Sequence, residues 1–413
     1  MNLWKTAVAA AWIAALPFAA AAADPAASAP EPVEILPIAF SAEGLSGPGG
    51  DRLRAELAGV QFIALGEDHG FAGSPELAMA LAHDTAALPG AAPLYHAVEV
   101  GPVTTRWAGQ TLRDGGLDAL GKSLAGRPFA MPFLSNVEDA KLAAPFAASD
   151  RLWGIDQEFV GSPTILLDLL AERTKDKATK ELLAGWRDSD KAALGAGRFN
   201  AIMLQTTTPA GFADLRSRFA GDVEALAIVD ALANSAAIYQ LNDSGRYLEN
   251  NEVRAALMRG YFLRAWRGAA PNAPTVLFKM GAYHMGRGTT PTSIYDIGSL
   301  LPGLAAANGK TSLHIAYVPL AGMVRTVKPS PTAFTAVVPY EDEAIGPILD
   351  AAGIARDSLP ATGHVLIPLA PLRHKLQGKA LRELPSFSRF MLLGYDYLVT
   401  TRDAKPATHF EAR

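Results

Sequence analysis

Four side chains in this 413-residue sequence have the chemistry of a hydrolytic centre: Glu67, His69, Glu99 and His284. A histidine, His69 or His284, can take a proton from water. A carboxylate, Glu67 or Glu99, can orient that ring and raise its basicity. Glu67 and His69 are two residues apart, a spacing at which side chains of extended chain face the same way. Three arginines, Arg106, Arg254 and Arg287, offer cations for an oxyanion or for a substrate carboxylate or phosphate. Asp156 and Tyr283 stand beside the same segments and complete the expected substrate-binding set. No Gly-x-Ser-x-Gly elbow occurs, so a serine nucleophile has no support. Cysteine is absent, which excludes a thiol nucleophile, a disulfide scaffold and a zinc–thiolate site.

A repeated local pattern gathers these residues. Phe62–Leu65 is an apolar run stopped by Gly66, and Leu94–Val98 is another stopped by Glu99. Such runs suit strands buried on both faces of a parallel sheet, whose ligands bind beyond the carboxyl ends of the strands. Arg151–Ile155 is a third, followed by Asp156 and Glu158. Pro274–Met280 is a fourth, followed by Tyr283, His284 and Arg287, and Ser312–Val318 is a fifth. Ser74-Pro75 and Ser162-Pro163 carry the cap and first-turn signals of helices. Helices are also expected over Val103–Arg113, Asn250–Arg267 and from Thr292 to Leu301.

The fold class is therefore α/β, a mostly parallel sheet flanked by helices. Residues 174–250 are charged, Ala-rich and without strand signal. They are expected to form a helical insertion over the carboxyl ends of the strands, a cap for a cleft, with simple cover of one sheet face as the alternative. Beyond Pro319, the runs Phe334–Val338, His364–Pro368 and Phe390–Leu393 are expected to finish the sheet or form an antiparallel edge.

Composition narrows the setting. With 49% hydrophobic residues, 37 basic and 41 acidic side chains, the chain can bury a large core and has no basic run for nucleic acid. Lys5 precedes an uncharged run, Thr6–Ala23, closed by Ala21-Ala22-Ala23. This reads as a cleavable signal peptide over residues 1–23, then a disordered lead-in over 24–35 and one domain over 36–413. The expected location is the periplasm or outside the cell, with no stable membrane anchor after cleavage and a small molecule as substrate. Among the remaining histidines, His83, His96 and His314 are expected in structural roles, and His364, His374 and His409 at the surface. Oligomeric state has no signal in the sequence.

The motifs Leu65–Gly70 (LGEDHG), Glu99 closing the next strand, Trp153–Glu158 (WGIDQE), Arg254-x-x-x-Met258 and Tyr283–Gly288 (YHMGRG) resemble those of the erythromycin esterase family. That family lies within the superfamily of ChaN-type haem-uptake proteins and Tiki-type proteases, and the resemblance spans about Val60 to Val318. It implies an ester, lactone or amide hydrolase working on water through Glu67, His69, Glu99 and His284, with no cofactor expected. The Tiki-type branch implies a divalent metal on those same four residues instead. The haem-uptake branch implies haem, with Tyr283 or His284 as axial ligand. Two departures stand out: a single residue separates Glu67 from His69, and Gly281 occupies the first place of the family's His-Asn-x-His motif.

Overall fold

In the computed structural model, residues 32–127, 129–269, 273–328 and 335–410 are described. The expected signal peptide and most of the lead-in lie outside them. The strands are β1 (Leu36–Ser41), β2 (Gly44–Ser46), β3 (Val60–Glu67), β4 (Leu94–Val98), β5 (Leu152–Gly154), β6 (Thr275–Gly281), β7 (Thr311–Tyr317), β8 (Met323–Val327), β9 (Thr335–Pro339), β10 (His364–Pro368) and β11 (Tyr397–Thr400). Nine of them form one sheet in the order β2-β1-β10-β11-β7-β3-β6-β4-β5, and β8 and β9 form a separate hairpin. The six strands from β11 to β5 run parallel, while β10, β1 and β2 make an antiparallel edge. The protein is thus an α/β fold built on a mostly parallel sheet.

Why the sheet holds is legible in β3. Successive side chains of a strand point to opposite faces, and here both faces are dry. Phe62 and Ala64 join one core with Phe278, Met258 and Phe262. Ile63 and Leu65 join a second, on the other face, with Leu77, Leu81 and Ile315. The helix Tyr247–Gly268 supplies Phe262, whose ring meets Phe62 at 5.9 Å and Phe278 at 5.1 Å, both edge to face. A third core is helical. It joins Leu112 and Leu166 to Leu183, Leu194, Leu215 and Leu232, and it reaches the sheet at Val98. Residues 174–250 enter it through the helices Lys177–Gly195, Pro209–Arg218 and Val223–Asp243.

Several expectations change. Phe390–Leu393 belongs to a helix, Ser386–Gly394, because so short an apolar run has no period by which strand and helix differ. His364–Pro368 does form the antiparallel strand β10, but the Phe334–Val338 run (Phe334 itself lies outside the described residues) pairs only with β8, away from the main sheet. Ser74 does not cap its helix, which starts at Gly73; its buried hydroxyl has no hydrogen-bond partner among the described residues. The helix expected from Thr292 begins at Ile297, where the Asp296 carboxylate accepts from the Ile297 N–H at 2.6 Å.

Phe262→Ala removes the ring that bridges β3 and β6 to their covering helix. It is expected to lower unfolding free energy by about 3–5 kcal/mol. Urea unfolding followed by circular dichroism measures this, and a loss below about 1 kcal/mol would contradict the packing described.

Candidate active site

The carboxyl ends of β3, β4 and β6 meet in one small space. β3 delivers Glu67 as its last residue, and β6 runs beside it with Glu67 opposite Gly281. The Glu67 Oε1 atom accepts from His69 Nδ1 at 2.8 Å and from Lys279 Nζ at 2.7 Å. Lys279 Nζ also reaches Asp139 Oδ1 at 2.7 Å, on the helix Val137–Ala148, and Asn136 Nδ2 donates to that aspartate at 3.1 Å. All three charged groups of this Glu67–Lys279–Asp139 set are buried. Burial alone would raise the Glu67 carboxyl, but Lys279 and His69 outweigh it and hold it at about 2. Burial alone would lower the Lys279 ammonium, but Asp139 and Glu67 outweigh it and push it up.

The His69 ring lies on Phe133, with centroids 4.0 Å apart and planes 23° from parallel. With Nδ1 committed to Glu67, Nε2 is left toward the cleft, 3.7 Å from Glu99 Oε2. Burial lowers its pKa, and the carboxylates of Glu67 and Glu99 overcome that and raise it above the ordinary 6.5.

Glu99 sits at the centre. Its Oε2 accepts from the Gly281 N–H at 2.6 Å, and its Oε1 accepts from Arg254 Nη2 at 2.9 Å. His284 Nε2 lies 3.3 Å from the same Oε1. A Cβ at position 281 would stand 3.0 Å from His69 Nε2 and 3.4 Å from Glu99 Oε2, so a larger residue there would press on both side chains. Burial opposes the charge on Glu99, but His284, His69 and Arg254 together hold its pKa well below the usual range. Arg254 binds Asp156 through Nε at 3.0 Å and Nη2 at 2.6 Å, which fixes the guanidinium beside Glu99. His284 Nδ1 is 2.7 Å from Asp296 Oδ2. Burial would lower the His284 imidazolium, but Glu99 and Asp296 push it up to about 10. The two histidines therefore differ: one carboxylate anchors His69 directly, while two embrace His284.

Of the expected residues, Glu67, His69, Glu99, Arg254, Tyr283 and His284 line one cleft of about 440 Å³, together with Asp68, Tyr340, Glu341, Glu343 and Phe387. Asp156 stands behind Arg254. Tyr283 is half-exposed and packs edge-on to Phe387 at 4.7 Å. Two arginines are elsewhere. Arg106 lies on the exposed side of the helix Pro102–Leu124, whose neighbouring residues Val103, Thr104, Thr105 and Ala108 take the buried face. Arg287 pairs with Asp396 at 2.8 Å and reaches the Ser312 carbonyl at 3.4 Å, at the amino ends of β11 and β7. Just after His284, the Met285 carbonyl lies 2.6 Å from the His314 ring inside the sheet.

Glu158, read as a strand-end acid, is buried beneath the first turn of the helix Pro102–Leu124. It accepts from the N–H of Val103 at 2.9 Å and the hydroxyl of Thr104 at 2.5 Å. His96 and His314 are held by backbone carbonyls inside the sheet, as expected of structural histidines. His409 is buried rather than at the surface, its Nε2 3.0 Å from the Ser135 hydroxyl.

Sequence reasoning missed Lys279, Asp139, Asp296 and Tyr340. Lys279 had a signal, a lysine inside the otherwise apolar run Val276–Met280, where a charge needs a buried partner. Asp296 and Asp139 sit at helix starts and look like caps. Tyr340, whose hydroxyl donates to Asp68 at 2.7 Å, comes from the stretch after β9 and carried no signal.

Among the described residues, no three histidine, aspartate or glutamate side chains converge as a metal-holding group. The donors are turned to one another's partners: Glu67 to Lys279, Glu99 to Arg254 and the Gly281 N–H, His284 to two carboxylates. That arrangement does not fit a divalent ion on these four residues. Both ring nitrogens of His284 face carboxylates, Glu99 and Asp296.

No family model and no curated protein matches the chain. Solved structures do. An erythromycin esterase, EreC, as a histidine-to-asparagine mutant in its open conformation, shares 16% identity at a TM-score of 0.57, over 86% of this chain and 94% of its own. A succinoglycan biosynthesis protein shares 15% at 0.55, over 91% and 96%. A Bacillus cereus protein shares 13% at 0.51, over 91% and 96%. The chain has the erythromycin esterase-like fold.

Lys279→Met leaves Glu67 and Asp139 as two buried carboxylates without their shared cation. It is expected to lower unfolding free energy by about 3–5 kcal/mol at pH 7, and Asp139→Asn in the same chain should restore part of that. Denaturant titration of the single and double variants measures both. A neutral Lys279→Met would refute the buried triad.

Proposed function

We propose that this chain, on the fold it shares with an erythromycin esterase, is a hydrolase of an ester, lactone or amide bond. The observation that supports this best is the pairing of two histidines in one cleft, each fixed through Nδ1 by its own carboxylate and both flanking Glu99. That division suggests distinct roles. His69, held at Nδ1 by Glu67 with Nε2 toward the cleft, is the base. His284, raised to about 10, stays an imidazolium at neutral pH.

In the reaction we infer, His69 Nε2 takes a proton from water as the oxygen attacks the substrate carbonyl. The negative charge that develops on the carbonyl oxygen faces Arg254, whose Nη1 carries no protein hydrogen bond among the described residues, and the positive field of His284. As the tetrahedral intermediate collapses, the imidazolium of His69 returns the proton to the leaving oxygen or nitrogen. Glu67 holds the Nδ1–H tautomer throughout, and Lys279 holds Glu67. Tyr283, Tyr340 and Arg254 line the space for substrate. The whole cycle uses side chains of the chain itself. Export to the periplasm rests on the Thr6–Ala23 run alone, and a small-molecule substrate on the size of the cleft.

An ester, lactone and amide panel tests the reading. Wild type should turn over at least one class, with kcat reduced about 10²–10⁴-fold in His69→Ala and rates unchanged by EDTA. Activity should rise above pH 6.5 as His69 loses its proton and fall near pH 10 as His284 loses its own. Full activity in His69→Ala, or loss of activity in EDTA restored by a divalent cation, would overturn it.

A further inference from the structure

Asp68 and His69 line a second cavity as well as the cleft. It measures about 390 Å³, room for roughly a dozen water-sized groups at about 30 Å³ each. Its walls are largely apolar, with Leu124, Met131, Phe133, Phe159 and Val327 prominent. The cleft that His69 also lines has Glu341, Glu343, Tyr340 and Arg254 in its wall. His69 thus borders both an apolar chamber and a polar cleft.

The two arginines that reach the apolar chamber are tied down. Arg127 is bound to Asp168 at 2.7 Å and to the Thr164 carbonyl. Arg325 donates to the Ala407 carbonyl at 2.8 Å and to the Thr335 hydroxyl at 3.1 Å. The His409 ring, pushed down to about 4 by burial and by Arg325, is neutral at pH 7. The wall also contains a strained residue. Phe129 has φ of 58°, in the left-handed region that a bulky side chain rarely enters. Its carbonyl accepts from the Gly161 N–H at 3.0 Å, and its ring meets Phe199 edge-on at 4.9 Å. Strain held this way gathers at ligand sites, because the surrounding structure must over-determine it.

We propose that this chamber holds the apolar acyl arm of the substrate, so that the substrate class is an ester of an apolar carboxylic acid. The inference rests on the hydrolase reading and extends it. The scissile carbonyl stands at His69 Nε2, the acyl chain runs along Phe133 and Met131, and the leaving group occupies the polar cleft. Hydrolysis adds water across the acyl C–O bond and releases the carboxylate and the alcohol. Each methylene of the arm then leaves water for an apolar wall, which favours longer chains.

The test uses p-nitrophenyl acetate and p-nitrophenyl octanoate as substrates, and octanoate as a binding probe in calorimetry, on wild type and Met131→Trp. Wild type is expected to prefer the octanoate ester at least tenfold in kcat/KM. Met131→Trp, which fills the chamber, should bring that ratio below threefold and weaken octanoate binding at least tenfold. If Met131→Trp does not fold, Val327→Glu, at the exposed rim, reads the same difference. Equal kcat/KM for the two esters without octanoate binding would overturn the chamber and leave the hydrolase reading standing. Octanoate binding lost in the variant, with neither ester hydrolysed, would support the chamber and overturn the hydrolase reading. Equal octanoate binding by both proteins would overturn the chamber outright.

Discussion

Glu67, Glu99, Asp139, Asp156 and Asp296 are all buried around the site at the rim of the sheet, and a buried carboxylate must find cations and donors or take up a proton. The cations come from elements far apart in sequence. Lys279 rises from β6 between Glu67 and Asp139, and Arg254 comes from the helix Tyr247–Gly268 to lie against Glu99 and Asp156. Those contacts tie β3, β4 and β6 to two covering helices through charge, as the aromatic cluster around Phe262 ties them through packing. The site and the fold are therefore fixed by the same residues. Moving one strand end would strand a charge.

That balance also sets the histidines apart. His69 leans on a carboxylate already neutralised by Lys279, so the positive charge behind Glu67 limits how strongly the ring is drawn to protonate. His284 faces Glu99 and Asp296 and is held as a cation. One fold thus offers a base and a fixed positive charge side by side. Both come from the chain's own side chains.

The parallel sheet and its strand-end acids were legible because strands buried on both faces read as short apolar runs that stop sharply, as at Gly66 and Glu99. The candidate set Glu67, His69, Glu99 and His284 was legible for the same reason. What escaped was whatever depends on tertiary approach. Arg106 and Arg254 look alike in sequence, and only the rotation of their helices decides which one faces the cleft. Arg287 follows His284 by three residues but is drawn to the opposite rim by Asp396. Asp296 reads as a cap, which it is, and its second oxygen is what holds His284. His409 comes from the last residues of the chain and is buried only because that segment folds back against Ser135.

The central claim is that the two histidines lose their protons far apart, because Lys279 offsets the carboxylate behind His69 while Glu99 and Asp296 both draw charge onto His284. Nitrogen-15 resonances of the imidazole rings, followed from about pH 5 to about pH 11 in the folded protein, report it directly. The account predicts that His69 loses its proton first and keeps the remaining one on Nδ1 in the neutral form, while His284 remains doubly protonated until about pH 10. A neutral His284 at pH 7, or a His69 that outlasts it, would contradict the account.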